Sequence, residues 1–130
     1  YPIGASLFFS SEVFKKVGFL NEDYFLFHEE IDYSTRVLKS NYKIGVCIDS
    51  IVYHKQGSST GSFKNKRKEN LFIEEYKYNG LLLFFKNHYG KYIFAAYLNL
   101  MLNAIKFFCR GEIKNAKLIL RTIINNLISK

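Results

Sequence analysis

One stretch restricts the fold of this chain more than any other: residues 91–111, KYIFAAYLNLMLNAIKFFCRG. Most of its side chains are apolar, and its central polar residues recur every three or four positions, which places them in one narrow stripe on a helix. These polar residues are Asn99, Asn103, Lys106 and Arg110. A helix of this composition needs protein or lipid to cover most of its surface.

Three environments for this helix are open: the core of the protein, the interface of a membrane, and a membrane span. The uncharged run before Lys106 is fourteen residues long, from Tyr92 to Ile105. About 20 residues are needed to cross a bilayer. A span is therefore the least favoured of the three.

The last segment, residues 112–130, is predicted to be an amphipathic helix. Its apolar face carries Ile113, Ala116, Leu120, Ile123, Ile124 and Leu127, and its basic face carries Lys114, Lys117 and Arg121. A basic amphipathic helix of this kind suits docking on anionic lipid, although the helices can equally pack on one another. With a further helix predicted over residues 65–87, the chain should end in about three helices.

Charge is distributed unevenly along the chain. Residues 1–60 carry six Lys or Arg and seven Asp or Glu, whereas residues 61–130 carry thirteen and four. The difference predicts an acidic front part, 1–60, that carries the chemistry, and a basic helical part, 61–130, that meets an anionic surface. Between them, residues 55–68 combine Gly, Ser and Thr with a basic run, which is typical of a mobile loop.

Composition excludes several classes of protein. The chain has 130 residues, of which 48% are hydrophobic and 18% aromatic, enough for one core. Cys47 and Cys109 lie far apart without a CxxC spacing, so neither a zinc site nor a disulfide framework is expected. No DNA- or RNA-binding motif accompanies the positive charge, and we expect no nucleic-acid partner. The start at Tyr1 has neither an initiator Met nor a basic leader, which predicts a piece of a longer protein.

Local patterns in the front part predict two helices and a few short strands. The apolar run of residues 3–10 predicts a buried strand. A helix capped by Ser10 or Ser11 should end at Gly18. A second helix is predicted from Glu30 to about residue 39, and one or two strands over residues 42–55, which are rich in β-branched side chains.

The second helix begins in a cluster of carboxylates within residues 25–36, FLFHEEIDYSTR. Asp32 and Arg36 stand four positions apart and can form an ion pair along the helix, which needs no functional explanation. Acids in the first turn also suit the positive end of the helix dipole. On these grounds alone the cluster is an acidic helix start with a structural pair.

The front part resembles the second half of the catalytic domain of family 2 glycosyltransferases, particularly the bacterial rhamnosyltransferase-like enzymes. The resemblance covers residues 3–59 and depends on the spacing of a Gly-Ala pair, a Phe-x-x-Val-Gly turn, an acidic pair before a helix, and a later His. The matching positions are Gly4, Ala5, Phe14, Val17, Gly18, Glu22, Phe25, Glu29, Glu30, Asp32, Arg36 and His54. The departures are Asn21, Glu30 and a position at or near Ser11, where the family usually has Asp, Asp and Arg.

This resemblance implies an α/β fold, or α+β for a fragment. The front part would be the acceptor-side half of a GT-A glycosyltransferase domain with a few short strands, followed by the helical region. The implied reaction is an inverting transfer of a sugar from a nucleotide-sugar donor to a glycan or lipid-linked acceptor, in the synthesis of cell-surface polysaccharide.

The resemblance also implies roles for individual residues. Glu30 would be the catalytic base that takes the proton of the acceptor hydroxyl. The residues implied to bind the acceptor are Glu29, His28, Gly4 and Ala5.

Cofactors and partners are implied in the same way. The full-length enzyme would bind a nucleotide sugar and a divalent metal, Mg²⁺ or Mn²⁺, with His54 as a metal ligand. The Asp-x-Asp motif and the nucleotide-binding half of the family do not occur in this sequence. The 130 residues are therefore expected to be inactive alone and to work with an N-terminal half of the same protein. We expect the protein to lie in the cytoplasm, with the anionic inner face of the cell membrane as a candidate partner.

The identity of residue 30 supports an alternative. The family usually has Asp there, and the extra methylene of Glu30 shifts the carboxylate by about 1 Å, a misplacement that can cost on the order of a hundredfold in rate. The alternative is a catalytically degenerate or scaffold module with a helical tail that binds a membrane surface.

Overall fold

The computed structural model describes residues 2–54 and 71–128. The chain divides into two compact units, Tyr1–Lys68 and Glu69–Lys130. The predicted loop at 55–68 and the predicted boundary after residue 60 both lie outside the described residues. They stay predictions, as do the roles predicted for the two parts.

Two α-helices form the first unit over the residues that the structure describes: α1, Ser11–Val17, and α2, Glu29–Lys39. The hydroxyl of Ser10 caps α1 by accepting a hydrogen bond from the backbone N–H of Val13 at 3.4 Å. The helix ends at Gly18, whose φ of 85° lies in the region that favours glycine. The predicted ends of α1 are confirmed.

Arg36 connects the two helices. Its Nε donates a hydrogen bond to Asp32 Oδ2 at 2.9 Å, the ion pair that the four-residue spacing predicts. Its two terminal nitrogens donate to the carbonyl oxygens of Val17 and Phe19, at 2.9 and 2.8 Å, where α1 ends. The guanidinium carbon also lies over the ring of Tyr33, 5.0 Å from its centre. One side chain therefore fixes the end of α1 against α2.

Aromatic rings fill the space around this connection. Phe14 of α1 meets Phe19 edge to face, with ring centres 4.4 Å apart. The ring centre of Phe9 lies 5.1 Å from that of Tyr33, which is buried on α2. Aromatic pairs in these geometries stabilise the fold by more than the burial of their apolar area alone.

The predicted α/β class is wrong: the described residues form helices and no strand. Residues 3–10 contain a 3-10 turn at Gly4–Ser6 instead of a strand, and residues 42–54 have no regular structure. A strand needs a neighbouring strand to pair with its backbone N–H and C=O groups, and the described residues supply none. The β-branched side chains of the second segment consequently lie in solvent, with Ile48 88% exposed.

The second unit contains three α-helices over its described part: α3, Leu71–His88; α4, Ile93–Cys109; and α5, Ile113–Ile128. A 3-10 turn, Gly90–Tyr92, joins α3 to α4. Between α4 and α5 the chain reverses through Gly111, which has a φ of 76°. This short connection and the extensive contact between α4 and α5 make them an antiparallel helical hairpin, and α3 packs on both.

The core of the second unit is built from one face of each helix. Its buried side chains are Leu82, Ala96, Leu100, Ala104, Ile119 and Ile123. The two alanines of α4 let the neighbouring helices approach closely. Polar contacts join α5 to α3, because Asn126 Nδ2 donates to Asn79 Oδ1 and Arg121 Nη2 donates to Glu75 Oε2, both at 2.8 Å.

The turn and α4 together, Gly90–Cys109, form a 20-residue helix that is long and apolar enough to cross a membrane, by length and composition. The sequence expectation counted only the uncharged run before Lys106, whereas the helix continues past that residue to Cys109. A core helix of a soluble protein can meet the same criterion. The finding therefore indicates an association with a membrane only weakly.

Replacing Arg36 with Gln should make α2 open more easily. The buried carboxylate of Asp32 and two backbone carbonyls lose their shared donor, so the free energy of opening of α2 should fall by about 2 kcal/mol. Hydrogen exchange of the amides in residues 29–39, measured by mass spectrometry on the whole chain, reports this quantity for the first unit alone. Lys16→Gln removes the same charge from an exposed site on α1 and should change it by less than about 0.5 kcal/mol. Equal effects of the two substitutions would contradict the connecting role of Arg36.

Candidate active site

The chain enters α2 through two residues in the left-handed conformation. Phe27 has a φ of 66° and His28 a φ of 71°. This conformation is uncommon for residues other than glycine and costs about 1–3 kcal/mol each, and such strain is concentrated at functional sites. The turn places Glu29 and Glu30 in the first turn of α2, where the positive end of the helix dipole stabilises their charge.

Glu30 is held by the backbone of Gly4. The N–H of Gly4 donates a hydrogen bond to Glu30 Oε1 at 3.0 Å, across 26 residues of sequence. A β-carbon at position 4 would lie 2.5 Å from that same oxygen, so a larger residue there would displace the carboxylate. The structure thus brings together two of the predicted site residues, Gly4 and Glu30, while the roles assigned to them stay predictions.

Three buried polar atoms, one on the residue that precedes α2 and two on α2 itself, have no hydrogen-bond partner in the part of the chain that the structure describes: His28 Nδ1, Glu29 Oε2 and Tyr33 Oη. Glu29 and Tyr33 stand four positions apart, so they share one side of α2. Buried polar atoms in folded proteins almost always have partners, and an exception calls for a ligand, a water molecule or a functional reason. These atoms can therefore donate hydrogen bonds to a hydroxylated ligand or accept hydrogen bonds from it.

Burial disfavours the charged form of each of these three groups and shifts its pKa accordingly. It raises the pKa of Glu29, which the charge of Glu30 raises further and a backbone hydrogen bond lowers. It lowers the pKa of His28, against the opposing effects of the Glu30 carboxylate and the backbone of Phe27. It also raises the pKa of Tyr33, against the opposing charge of Arg36. His28 is accordingly a neutral hydrogen-bonding group at pH 7.

The other predicted site residues lie elsewhere in the unit. Ala5 is exposed next to Gly4, in the 3-10 turn. His54 is exposed at the end of the irregular segment 42–54. Among the described residues there is no group of three or more His, Cys, Asp or Glu side chains that could hold a metal ion. A single exposed imidazole is too few ligands for a divalent cation, so the described residues do not fit a metal, and the role of His54 stays a prediction.

Comparison with curated proteins finds a partial similarity to a glycosyltransferase. Over 50 residues, 37% of this chain, the sequence is 38% identical to the low-salt glycan biosynthesis hexosyltransferase Agl10 of Haloferax volcanii. The aligned stretch covers 16% of that protein. No family profile matches the chain, and no solved structure matches it.

This similarity supports the predicted class of enzyme at the level of a glycosyltransferase in glycan biosynthesis. It does not extend to the rhamnosyltransferase-like subfamily or to a bacterial source, which stay predictions.

Sequence reasoning missed two features of the site. Tyr33 was not singled out, although its position four residues after Glu29 places both on one side of the helix. The left-handed turn at Phe27 and His28 has no sequence signal, because neither residue type favours that conformation strongly enough to predict it.

The contribution of His28 to the stability of α2 should fall as the pH drops below about 6.5, its ordinary pKa. The folded pKa of His28 lies below its ordinary value, so between the two values the unfolded state binds more protons, and stability rises with pH up to the ordinary pKa. His28→Asn keeps a residue that tolerates the left-handed turn but removes this titration. The free energy of opening of α2, from hydrogen exchange at pH 7.5 and 5.5, should therefore decrease less in the variant than in the wild type.

The titration of Glu29 acts in the opposite direction, because its raised pKa makes stability fall as the carboxyl ionises. It is present in both proteins, and the comparison between them isolates His28. An equal pH dependence of the two proteins would show that His28 does not titrate as a buried group.

Proposed function

We propose that this chain is the acceptor-side part of an inverting glycosyltransferase that moves a sugar from a nucleotide-sugar donor to a glycan or lipid-linked acceptor. The similarity to a hexosyltransferase supports the class of reaction. The observation that carries the proposal is the carboxylate of Glu30, fixed at the start of α2 by the N–H of Gly4. A general base has to be positioned before it can act, and this hydrogen bond positions it.

The proposed chemistry uses one oxygen of Glu30 as the base. Gly4 occupies Oε1, which leaves Oε2 to take the proton of the acceptor hydroxyl as its oxygen bonds to the anomeric carbon of the donor. The bond from that carbon to the nucleoside diphosphate breaks at the same time, and the diphosphate leaves with the electron pair. No described residue is assigned to the leaving group, because the described residues offer no metal site.

The unpartnered atoms of His28, Glu29 and Tyr33 give the acceptor its hydrogen bonds in this proposal. A sugar presents hydroxyl groups that both donate and accept, which suits neutral His28, the carboxyl group of Glu29 and the hydroxyl group of Tyr33. Binding would restore partners to groups that are costly to bury alone. Membership of family 2, a rhamnosyltransferase-like activity and a place in cell-surface polysaccharide synthesis are the finer parts of the proposal.

Donor binding is assigned to a nucleotide-binding part of the same protein outside this sequence. The aligned stretch covers a minor share of the hexosyltransferase, which supports a chain that supplies one portion of such an enzyme. The predicted Mg²⁺ or Mn²⁺ and the nucleotide sugar would be held there.

Glu30→Gln in the full-length protein should abolish transfer while leaving donor binding intact. Gln keeps the size of the side chain and can still accept the Gly4 hydrogen bond, but it cannot take a proton, so kcat should fall by about 10²-fold or more. Release of nucleoside diphosphate from a panel of nucleotide sugars measures turnover, and calorimetry measures donor binding. Glu12→Gln, on the exposed start of α1, is the matched control. Turnover retained in Glu30→Gln would remove Glu30 from the base role.

Gly4→Ala should lower kcat by displacing the carboxylate of Glu30. The added β-carbon would meet Glu30 Oε1 at 2.5 Å, and a shift of about 1 Å at the base can cost on the order of a hundredfold. Gly45→Ala adds the same methyl group where no atom lies within 4 Å, and should leave kcat unchanged. If the two variants turned over equally, the contact between Gly4 and Glu30 would have no part in catalysis.

A further inference from the structure

One side of α4 is apolar and exposed. The helix packs on its neighbours through Ala96, Leu100 and Ala104. A second apolar stripe on the same helix is exposed to solvent: Phe94, Leu98, Leu102, Ile105 and Phe108. Phe94, the most exposed of them, has 73% of its surface accessible, so the stripe is not a partly buried edge of the core. The described residues of the unit leave it uncovered, although a helix that is apolar nearly all round needs cover.

The apolar side of α5 is also wider than its packing requires. The sequence placed six apolar residues on one face, but only Ala116 and Ile123 of that set are buried. The others are exposed: Ile113, Leu120, Ile124 and Leu127. Both helices of the hairpin thus carry an apolar stripe beyond the residues that hold the unit together.

The two exposed stripes lie on the same side of the hairpin. α4 and α5 are antiparallel and face the core through Leu100 and Ile119. On α4, the exposed Met101 follows Leu100 by one position, and on α5, the exposed Leu120 follows Ile119 by one position. Each step is a rotation of about 100° about its own helix axis, in the same sense. In two antiparallel helices that face each other, equal rotations in the same sense point to the same side of the pair. Leu118, rotated in the opposite sense, is buried, which places α3 on the other side.

We call this exposed side the hairpin face, defined by the two stripes just given. Its borders are basic: Lys106 stands one turn after Leu102 on α4, and Lys117 stands one turn after Ile113 on α5. Residues 90–128 contain six Lys or Arg and one acidic residue, Glu112. Long basic side chains at the edge of an apolar face can extend their charges into water or towards lipid headgroups.

We propose that the hairpin face docks in the plane of an anionic membrane surface. Apolar side chains between basic borders match the acyl region and the negative headgroups of such a surface together. A span is a poorer match, because the stripe of Asn99, Asn103 and Lys106 and the packing of α4 on basic α5 would then lie in hydrocarbon. The proposal is independent of the reaction assigned to the first unit.

The test is flotation of the whole chain with vesicles of phosphatidylcholine, alone and with 30% phosphatidylglycerol (on the order of a natural anionic fraction). We expect binding to the anionic vesicles and little to the neutral ones. Ile124→Glu places a charge in the hairpin face and should weaken binding about tenfold or more. Asn125→Glu makes the same change in net charge at the neighbouring exposed position on another side of α5, and should weaken it far less.

The double variant Lys106→Gln, Lys117→Gln tests the basic border. Each basic side chain near an anionic surface contributes roughly fivefold to binding, so loss of the pair should weaken binding about 25-fold. Circular dichroism of each variant checks that the helices remain, so that loss of binding is not loss of fold.

Several results would overturn the proposal. Equal binding to neutral and anionic vesicles would remove the role of the basic border, and equal effects of Ile124→Glu and Asn125→Glu would remove the role of the apolar face. Absence of vesicle binding together with a dimer by light scattering that Ile124→Glu dissociates would show that the face is covered by a second copy instead. Loss of vesicle binding would leave the outcome of the Glu30→Gln experiment unaffected.

Discussion

The guanidinium group of Arg36 is the contact on which the arrangement of the first unit depends. α1 has 7 residues and α2 has 11, and isolated helices shorter than about 12 residues are marginal in water. Tertiary contacts have to hold them. Arg36 supplies two hydrogen bonds that connect the last turn of α2 to the end of α1, besides its hydrogen bond to Asp32 within α2. Because α2 is fixed in this way, its first turn has a defined position, and Glu30 can meet the N–H of Gly4.

That first turn combines features that are unfavourable for folding alone. Two consecutive residues, Phe27 and His28, adopt the left-handed conformation, and polar atoms of His28, Glu29 and Tyr33 are buried without partners among the described residues. Each such atom costs about 1–3 kcal/mol. A chain selected only for stability would lose these features, since removing them is easy. Their concentration within residues 27–33, a stretch that also carries the positioned carboxylate of Glu30, is the physical argument for a ligand site there.

The sequence was informative wherever structure depends on nearby residues. Ser10 and Gly18 locate the ends of α1, and the spacing of Asp32 and Arg36 predicts their ion pair, because caps and ion pairs of this kind act within one or two turns. The strands predicted over residues 3–10 and 42–55 were wrong for the opposite reason. A strand is stabilised by a partner strand that is often distant in sequence. A β-branched composition indicates only that the side chains would fit the surface of a sheet, and it does not show that a partner strand is present. The contact of Gly4 with Glu30 also crosses 26 residues, and the sequence did not predict it. The family resemblance singled out both residues, but it implied no contact between them.

The apolar side chains of α4 and α5 present a different problem from the polar atoms of the first unit. Helical periodicity identified both helices but could not say which apolar positions the core would use, because that depends on how three helices meet. The structure shows that the core uses about half of them and leaves the hairpin face exposed between basic borders. If this face holds the protein at a membrane, an acceptor linked to lipid is confined to the same surface, and its effective concentration rises without any new contact to the sugar. A site of few hydrogen bonds at Glu30 would then be sufficient for an acceptor that the membrane holds within its reach.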